Sequence, residues 1–184
     1  MRHRLFIAAD IDDAARAACA RIAETLRAQD WAARWVAPEN YHLTVAFLGG
    51  VDDERVAGLT AAARDAAASL RAFDVPLEIV GAFPNARKPR VAWIGAAYAV
   101  PAFGALCDTV RRPLAALGFT FDPHSDPHVT LARSDGRVAL PAADSPQIAP
   151  QRIASVALYE SFAGRMGARY VALDRFPFEA SSDS

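Results

Sequence analysis

The sequence predicts an α+β fold in which two pseudo-symmetric lobes of antiparallel sheet, flanked by helices, enclose a central cleft. Two observations lead to this prediction. Strand-like and helix-like segments interleave along the 184 residues, and short turns join several neighbouring strand-like runs, as in hairpins rather than parallel crossovers. In addition, the pattern histidine, apolar, threonine, apolar occurs at residues 42–45 and again 86 positions later (128 − 42 = 86), which suggests one copy per lobe.

The first half of the chain contains strands and helices in alternation. Apolar runs, helical spacing and acidic first turns predict a strand, a helix, a brief extended piece and a second helix over residues 5–9, 12–29, 35–37 and 52–70. Pro38 and Asn40 mark a turn into the motif strand that begins at His42. We expect Gly49 and Gly50 to end that strand.

The second half contains more strand-like segments. Residues 73–83 and 91–95 resemble a hairpin around a basic turn at 84–90, and residues 100–118 are helix-like with Gly118 as the stop. The second motif strand begins at His128. Two further strand-like runs, 153–160 and 170–176, follow a loop at 141–150 and are joined by a turn at 164–167. We expect one domain over residues 1–180 and a flexible tail over 181–184.

Composition excludes several classes of protein. A hydrophobic content of 53% allows a sizeable core, while a net charge of −1 and a pI near 6.4 argue against a broadly basic nucleic-acid-binding surface. No apolar run is long enough for a signal peptide or a membrane span, so we expect a cytoplasmic protein without membrane association. A monomer is the expected oligomeric state. Cys19 and Cys107 lack metal-ligand spacing and are expected to be buried, reduced thiols.

The two repeated motifs carry the chemistry. Strand alternation places His42 and Thr44 on one face and the intervening apolar residues, with Phe47, on the buried face. The same alternation exposes His128 and Thr130 together. We therefore expect the two polar pairs to meet across one cleft.

Two facing histidines form an acid–base pair. Imidazole titrates near pH ~6.5, so one ring serves as a base while the other, protonated, serves as an acid. In-line displacement at phosphorus needs such groups on opposite sides of the phosphate, and no metal or other cofactor is then required. Three side chains are the expected donors to the phosphate oxygens: Thr44, Thr130 and Arg133. Strict alternation puts Arg133 on the opposite face from His128, so its role requires a bulge or a strand end.

Other residues have alternative interpretations. His3 does not belong to a repeated motif and is expected to be structural. Asp122, His124, Asp126 and His128 are metal-ligand types at alternating positions, but Pro123 and Pro127 interrupt the strand that would align them, which argues against a metal site. The basic segment 87–90 is equally consistent with an RNA contact and a solvated turn. Three aromatic residues could stack on a base but are expected in the core: Trp35, Tyr41 and Phe83.

The ordered motifs resemble the two-histidine phosphoesterase superfamily, specifically the RNA 2′,3′-cyclic phosphodiesterase (2′-5′ RNA ligase-like) family. The matching segments cover most of the chain, at residues 4–8, 35–49, 127–133, 158–161 and 168–170. Two positions depart from the family pattern. Tyr41 replaces a usual aliphatic residue, and Ser125-Asp126 replace an aromatic and a basic residue, which puts in doubt the electrostatics and the substrate preference near His128.

The resemblance implies a bilobal α+β fold and metal-free hydrolysis of a terminal ribonucleoside 2′,3′-cyclic phosphate to a 2′-phosphate. It also implies ligation of RNA ends by the reverse type of reaction. Transferred by position, His42 is the acid for the leaving 3′ oxygen and His128 is the base that activates water. The expected partners are thus RNA ends or nucleotides that carry a 2′,3′-cyclic phosphate. The alternative is a nucleotide- or RNA-end-binding module without turnover.

Overall fold

The computed structural model describes residues 1–123, 125–164 and 167–179. His124, two residues of the predicted 164–167 turn and the predicted tail at 181–184 lie outside the described residues. In chain order the elements are β1 (Arg2–Asp10), α1 (Asp13–Arg27), β2 (Arg34–Trp35), a 3-10 helix (Pro38–Asn40), β3 (His42–Asp52), α2 (Asp53–Ala67), β4 (Phe73–Val75), β5 (Ile79–Phe83), β6 (Val91–Gly95), α3 (Pro101–Ala116), β7 (His128–Arg133), β8 (Gln151–Ile153), β9 (Ser155–Gly164) and β10 (Gly167–Pro177).

The main sheet runs in the order β10-β9-β1-β3-β7-β6-β5, and β2 adds to β7. Every pairing between these strands is antiparallel in the described part of the chain. Strands β1, β3, β9 and β10 form one half and β2, β5, β6 and β7 form the other. The halves join at β3 and β7, the two motif strands, through the single register pair Leu43↔Val129. The predicted α+β class with antiparallel sheets is confirmed.

The helices pack on one face of this sheet. Apolar side chains from all three helices, among them Leu26, Leu59 and Leu106, share one buried cluster with Leu43 and Val129 from the motif strands. The helix starts follow from the sequence: the side chain of Asp12 accepts a hydrogen bond of 2.7 Å from the Ala15 N–H, which caps α1. Because Leu43 and Val129 face the helices, the residues beside them in each strand face the other side of the sheet.

The predicted end of β3 at Gly49 and Gly50 is wrong, since the strand continues to Asp52. Gly49 has a φ of 71°, a left-handed conformation that glycine adopts without strain. Around it the pairing with β1 skips Leu48, because Leu5 pairs with Gly49 and Phe6 pairs with Phe47. The glycine thus allows a bulge within the strand and does not terminate it.

Two predicted strand-like runs are each divided between two sheets. Of residues 73–83, β4 pairs with β8 in a separate two-stranded sheet, whereas β5 forms the predicted hairpin with β6. Pro76 lies between them and cannot donate to a ladder. Similarly, Ala154 separates β8 from β9 within the predicted run 153–160. The predicted extended piece at 35–37 contributes only its first residue to β2.

Two smaller expectations concern the cysteines and the membrane. Cys19 and Cys107 are buried and free, and burial raises the pKa of both thiols, that of Cys19 to about 12. Neither thiol is therefore activated as a nucleophile. Within the described residues, no helix combines the length and the apolar character needed to cross a bilayer.

Candidate active site

The two motifs lie side by side on the face of the sheet that the helices leave open. Leu43 of β3 pairs with Val129 of β7 in antiparallel register (43 + 129 = 172). The same sum places His42 opposite Thr130 (42 + 130 = 172) and Thr44 opposite His128 (44 + 128 = 172). Directly opposed residues in a sheet have Cβ atoms about 4.5–5.5 Å apart. The sheet therefore brings the four predicted residues into one cluster.

Both imidazoles are oriented by the same type of hydrogen bond. Nδ1 of His42 lies 2.7 Å from the carbonyl oxygen of Asn40, and Nδ1 of His128 lies 2.8 Å from that of Asp126. A carbonyl oxygen only accepts, so each Nδ1 carries a proton and donates it. In the neutral ring this leaves Nε2 unprotonated. For His42, Nε2 accepts from the hydroxyl of Thr44 at 3.0 Å.

The turn before His42 is fixed from two directions. The buried side chain of Asn40 donates to the carbonyl of Ala168 on β10 at 2.6 Å, which anchors the residue whose own carbonyl orients His42. From α1, the guanidinium of Arg16 donates to the carbonyls of Pro38 at 2.7 Å and Tyr41 at 3.2 Å. The turn is thereby held between a helix and a strand, and the imidazole is preorganised.

Arg111 on α3 connects the two motif strands. The register places Pro127 opposite Val45, and proline has no N–H to donate to the Val45 carbonyl. Nε of Arg111 donates to that carbonyl at 2.8 Å. Its NH1 group donates to the Ser125 hydroxyl at 3.0 Å, just before β7. The guanidinium of Arg111 thus fixes β3 relative to the segment that leads into His128.

A bulge follows each motif threonine. In the pairing of β1 with β3, Ile7 pairs with Ala46 and Ala8 with Thr44, so Val45 is skipped. In the pairing of β6 with β7, Ala92 pairs with Ala132 and Trp93 with Thr130, so Leu131 is skipped. Each skipped residue shifts the alternation of its strand by one position. The next exposed residue on each strand therefore returns to the face of the histidine.

These bulges decide the positions of Phe47 and Arg133. For Arg133, a role beside His128 required a bulge or a strand end. The bulge is present, and it turns the Arg133 side chain into the cleft beside Thr130. The expectation that Phe47 lies on the buried face is wrong: half of its surface (50%) is exposed, and it lines the same cleft. Phe47 and Arg133 stand five positions after His42 and His128, so they occupy equivalent places in the two halves.

The cleft consists of two connected cavities of about 460 Å³ and 710 Å³. The residues common to both walls are Thr44, Phe47, Thr130 and Arg133. His42 lines the first cavity and His128 lines the second. The two histidines thus border opposite ends of one cleft, and the threonines and the arginine lie between them.

Aromatic rings surround both imidazoles. Around His42, the rings of Phe6 and Tyr170 lie at centroid distances of 4.9 and 5.5 Å. Around His128, those of Phe83 and Trp93 lie at 5.0 and 6.2 Å. Of these four, only Phe83 is singled out by the sequence, and the expectation that it lies in the core is wrong, because its partly exposed ring lines the second cavity of the cleft. A signal existed for Phe6 and Tyr170, which fall within segments that match the family pattern.

Burial lowers the pKa of both histidines. Loss of hydration lowers the pKa of His42 to about 4, against smaller opposing effects of the Asn40 carbonyl and of Asp10. The pKa of His128 is also lowered by burial, and the carbonyl and carboxylate of Asp126 oppose this. Asp126, the departure from the family pattern, thus favours protonation of His128. The charge on His128 also lowers the pKa of His42, so the two rings influence each other.

Three further residues and one basic segment that the sequence singles out lie outside the walls of the two main cavities. Tyr41 is in the core, as expected, and Trp35 packs edge-on against Trp31 at 5.8 Å. His3 contacts Glu160 at 2.8 Å and Asp53 at 3.1 Å, consistent with a structural role. In the basic segment 87–90, Arg87, Lys88 and Arg90 are exposed and lie outside the cleft walls, and the RNA contact stays a prediction. Among the described residues, no group of three or more His, Cys, Asp or Glu side chains is placed to hold a metal ion.

This arrangement suits displacement at a tetrahedral, negatively charged centre. Each end of the cleft presents one imidazole with Nδ1 already engaged, which leaves Nε2 for proton transfer. Hydroxyl and guanidinium donors between the rings suit the oxygens of a phosphate. The cleft thus contains a base, an acid and anion-binding groups in one place.

Comparisons with known proteins point in the same direction. A model of the family described as LigT like Phosphoesterase matches residues 10–93. The RNA 2′,3′-cyclic phosphodiesterase of Methanothermobacter thermautotrophicus is 31% identical over 136 residues, 74% of this chain and 73% of the relative. That of Archaeoglobus fulgidus is 37% identical over 133 residues, 71% of this chain and 72% of the relative. The crystal structure of E. coli LigT complexed with NADP+ superposes with a TM-score of 0.82 at 29% identity, covering 97% of this chain and 98% of that one.

Proposed function

Because the chain belongs to the LigT-like phosphoesterase family, we propose that it hydrolyses the 2′,3′-cyclic phosphates of RNA ends or nucleotides to 2′-phosphates. One observation supports this most strongly: two histidine–threonine pairs border a single cleft, and both imidazoles are held through Nδ1. The named relatives are RNA 2′,3′-cyclic phosphodiesterases. A substrate with one strained cyclic diester needs the base and the acid that such a cleft supplies.

In the proposed reaction, His128 is the general base and His42 is the general acid. Nε2 of His128 takes a proton from water as the water oxygen bonds to phosphorus. The bond between phosphorus and the 3′ oxygen breaks, and His42 gives its proton to that oxygen. The product is a 2′-phosphate with a free 3′ hydroxyl. A 5′-hydroxyl end of RNA in the place of water would form a 2′-5′ linkage by the same steps.

Three side chains stabilise the charge on the phosphate. The hydroxyls of Thr44 and Thr130 and the guanidinium of Arg133 donate to the two oxygens that do not take part in bond exchange. Thr44 has a second task, since it already bonds Nε2 of His42 at 3.0 Å in the free chain. The threonine hydroxyl accepts when His42 is protonated and donates when His42 is neutral. All of these groups come from one chain, so we propose that the monomer is active.

The proposed mechanism predicts an acidic pH optimum for kcat/KM, which reports on the free enzyme. The active form has one protonated and one neutral histidine, and both pKa values are lowered from 6.5. A lowered pKa means that the proton is lost at lower pH, so the fully neutral, inactive form predominates above pH ~6.5. We expect kcat/KM to peak below pH ~6.5 and to fall roughly tenfold between pH ~7 and ~8. An optimum above pH ~7 in the measured profile contradicts this assignment.

The direct test is hydrolysis of a nucleoside 2′,3′-cyclic phosphate by the purified protein in the presence of a chelator. We expect multiple turnovers at an unchanged rate when EDTA is added, because proton transfer and charge stabilisation come from side chains. Activity that depends on restored metal would overturn the mechanism. Tight binding of the substrate without product would support the alternative of a binding module.

A further inference from the structure

The guanidinium of Arg133 has a second arginine directly beside it. Strand β2 pairs with β7 so that Arg34 is the register partner of Arg133. Directly opposed residues project from the same face of a sheet, so Arg34 projects from the face that carries the cleft. Its neighbour Trp35 faces the helices, since the guanidinium of Arg27 on α1 lies 5.1 Å from the centroid of its ring. The end of the cleft therefore presents two cations side by side.

This pair of arginines is unfavourable in the free chain. Like charges directly opposite one another destabilise a sheet, whereas opposite charges stabilise it. Among the ion pairs of the described residues, none includes Arg34 or Arg133. The side chain of Arg34 is exposed, so packing gives no reason for an arginine there. A bound anion would remove the repulsion, and the pair is thus suited to hold negative charge.

A basic turn continues this charge on the other side of β7. The N–H of Ser134, the residue after Arg133, donates to the Arg90 carbonyl at 3.1 Å and joins the turn to the end of the strand. Val91, which follows Arg90, is the partner of Arg133 on β6 and lines the second cavity. The turn between β5 and β6 thus borders the cleft, and it carries three exposed cations: Arg87, Lys88 and Arg90.

The backbone of the turn is held in one conformation. The side-chain oxygen of Asn85 accepts from the N–H groups of Arg87 and Lys88, both at 3.1 Å. The chain that follows β7 packs against the turn, and the Leu140 N–H donates to the Ala86 carbonyl at 2.8 Å. A preorganised backbone loses less freedom when its side chains bind a ligand. The turn is therefore better suited to binding than a loose, solvated loop.

Four cations at this end of the cleft form what we call the basic rim: Arg34, Arg87, Lys88 and Arg90. None of them takes part in an ion pair in the described part of the chain. The segments that meet here, 33–36, 84–91 and 133–138, contain six basic residues and one acidic residue, Asp135. Asp135 pairs with Arg137 at 3.3 Å and does not neutralise the rim. In a chain with a net charge of −1, this concentration of positive charge favours a polyanion.

We infer that the basic rim binds the phosphodiester backbone of the RNA strand whose 3′ end carries the cyclic phosphate. This inference rests on the proposed function. Arg133 is assigned to the reacting phosphate, and the rim flanks Arg133 on both sides of β7. The phosphates that precede the reacting one in the strand therefore meet the rim as the strand leaves the cleft. Backbone contacts carry no sequence information, so the rim favours RNA oligomers over mononucleotides and accepts any sequence.

The first cavity offers a different exit, past Arg4. The Arg4 guanidinium lies 5.0 Å from the centroid of the Phe47 ring in the wall of this cavity. Carboxylates accompany the cations on this side, since the adjacent His3 pairs with Glu160 and Asp53. The rim has no such carboxylates in its ion-pair environment. Charge thus favours the rim as the path of the strand.

The kinetic test compares a nucleoside 2′,3′-cyclic phosphate with an RNA hexamer that ends in the same group. We expect the wild-type protein to prefer the hexamer roughly tenfold or more in kcat/KM at low salt, mainly through KM. Arg34→Gln should reduce this ratio several-fold, and joint replacement of all four rim cations by glutamine should bring it close to one. Arg34→Lys should retain most of the ratio, because an ammonium group also binds phosphate.

Arg21→Gln is the matched control. Arg21 is exposed on α1, on the helix side of the sheet, and like Arg34 it belongs to no ion pair among the described residues. The variant removes the same charge and should keep the wild-type ratio. Thermal unfolding at low salt adds a structural readout: Arg34→Gln should unfold at a temperature no lower than the wild-type protein, because it removes a repulsion.

A binding measurement separates this inference from the proposed function. Fluorescence anisotropy with an RNA hexamer that ends in a 2′-phosphate needs no turnover. The logarithm of the affinity falls with the logarithm of the salt concentration, with a slope of about −0.7 for each phosphate that is neutralised. Arg34→Gln should make the slope shallower by about 0.7, and the fourfold variant by about 2–3. Absence of turnover with this salt-dependent binding intact would refute the proposed reaction alone.

Four results would overturn the rim. The first is a wild-type protein that does not prefer the hexamer. The second is an equal loss in Arg21→Gln and Arg34→Gln. The third is a lower unfolding temperature of Arg34→Gln with equal losses on both substrates, which would make Arg34 a structural residue. The fourth is a preference that survives the fourfold variant and is lost in Arg4→Gln, which would place the strand at the other exit.

Discussion

Replacement of either His42 or His128 by alanine should reduce kcat/KM on a nucleoside 2′,3′-cyclic phosphate by roughly 10²–10⁴-fold. Each variant loses one of the two proton transfers, and the remaining imidazole cannot reach the other side of the phosphorus. The double variant should lose little more than either single variant, because the two groups act as a unit. Steady-state kinetics of the three variants measure this directly.

His3→Gln is the matched control for these variants. His3 is bonded to Glu160 and Asp53 outside the cleft walls, so its loss should leave kcat/KM at the wild-type value. Thermal unfolding followed by circular dichroism should show that all variants remain folded. A folded His42→Ala or His128→Ala protein with wild-type activity would refute the paired acid–base role.

Arg133→Met should lower kcat/KM by roughly 10²–10³-fold, the cost of losing one donor to the developing charge. Methionine keeps an unbranched apolar stem and removes the guanidinium from the wall between the two cavities. Arg133→Lys should recover only part of the loss, since an ammonium group cannot donate to two oxygens in the planar geometry of a guanidinium. Kinetics on the cyclic phosphate with and without added salt provide the measurement.

Arg137→Met is the corresponding control, because the Arg137 side chain is 85% exposed and pairs with Asp135 outside the cleft. It removes the same charge four positions along the chain and should have no effect on kcat/KM. Equal activities of Arg133→Met and the wild-type protein would remove Arg133 from the site. Equal losses in the two arginine variants would indicate a general effect of charge rather than a contact with phosphate.

The face that carries the histidines could be predicted from sequence because it depends on local alternation. Leu43 and Val129 are buried beside partly exposed neighbours, as a two-residue period requires. The bulges at Val45 and Leu131 could not be predicted in this way. A bulge exists only relative to a partner strand, and β1 and β6 are distant in sequence from the residues that they displace.

The dependence of bulges on partner strands also explains why the side chains of Phe47 and Arg133 in the cleft could not be predicted. A bulge in β3 brings Phe47 to the exposed face of that strand, and an equivalent bulge in β7 does the same for Arg133, although strict alternation assigns both side chains to the core side. The contribution of Arg111 is equally non-local, since it joins a carbonyl on β3 to a hydroxyl before β7 from a helix between them in sequence. The strand pairing is therefore needed to see that Phe47 and Arg133, an aromatic ring and a charge, occupy equivalent positions in the two halves of the site.

The strand boundaries illustrate a further limit. Residues 73–83 and 153–160 have the composition of single strands, and Pro76 was the only local sign that the first run divides. The break follows from the partners: β4 and β8 pair with each other, while β5 and β9 belong to the main sheet. Strand propensity describes a half-buried surface and does not state which neighbour covers it.

The proposed roles of His42 and His128 are tested most directly by the identity of the product that the wild-type protein forms from a nucleoside 2′,3′-cyclic phosphate in the presence of EDTA, followed by phosphorus NMR. Protonation of the 3′ oxygen by His42, with water activated by His128, predicts the 2′-phosphate as the product at full rate. Formation of the 3′-phosphate, or loss of turnover when the chelator is present, would contradict it.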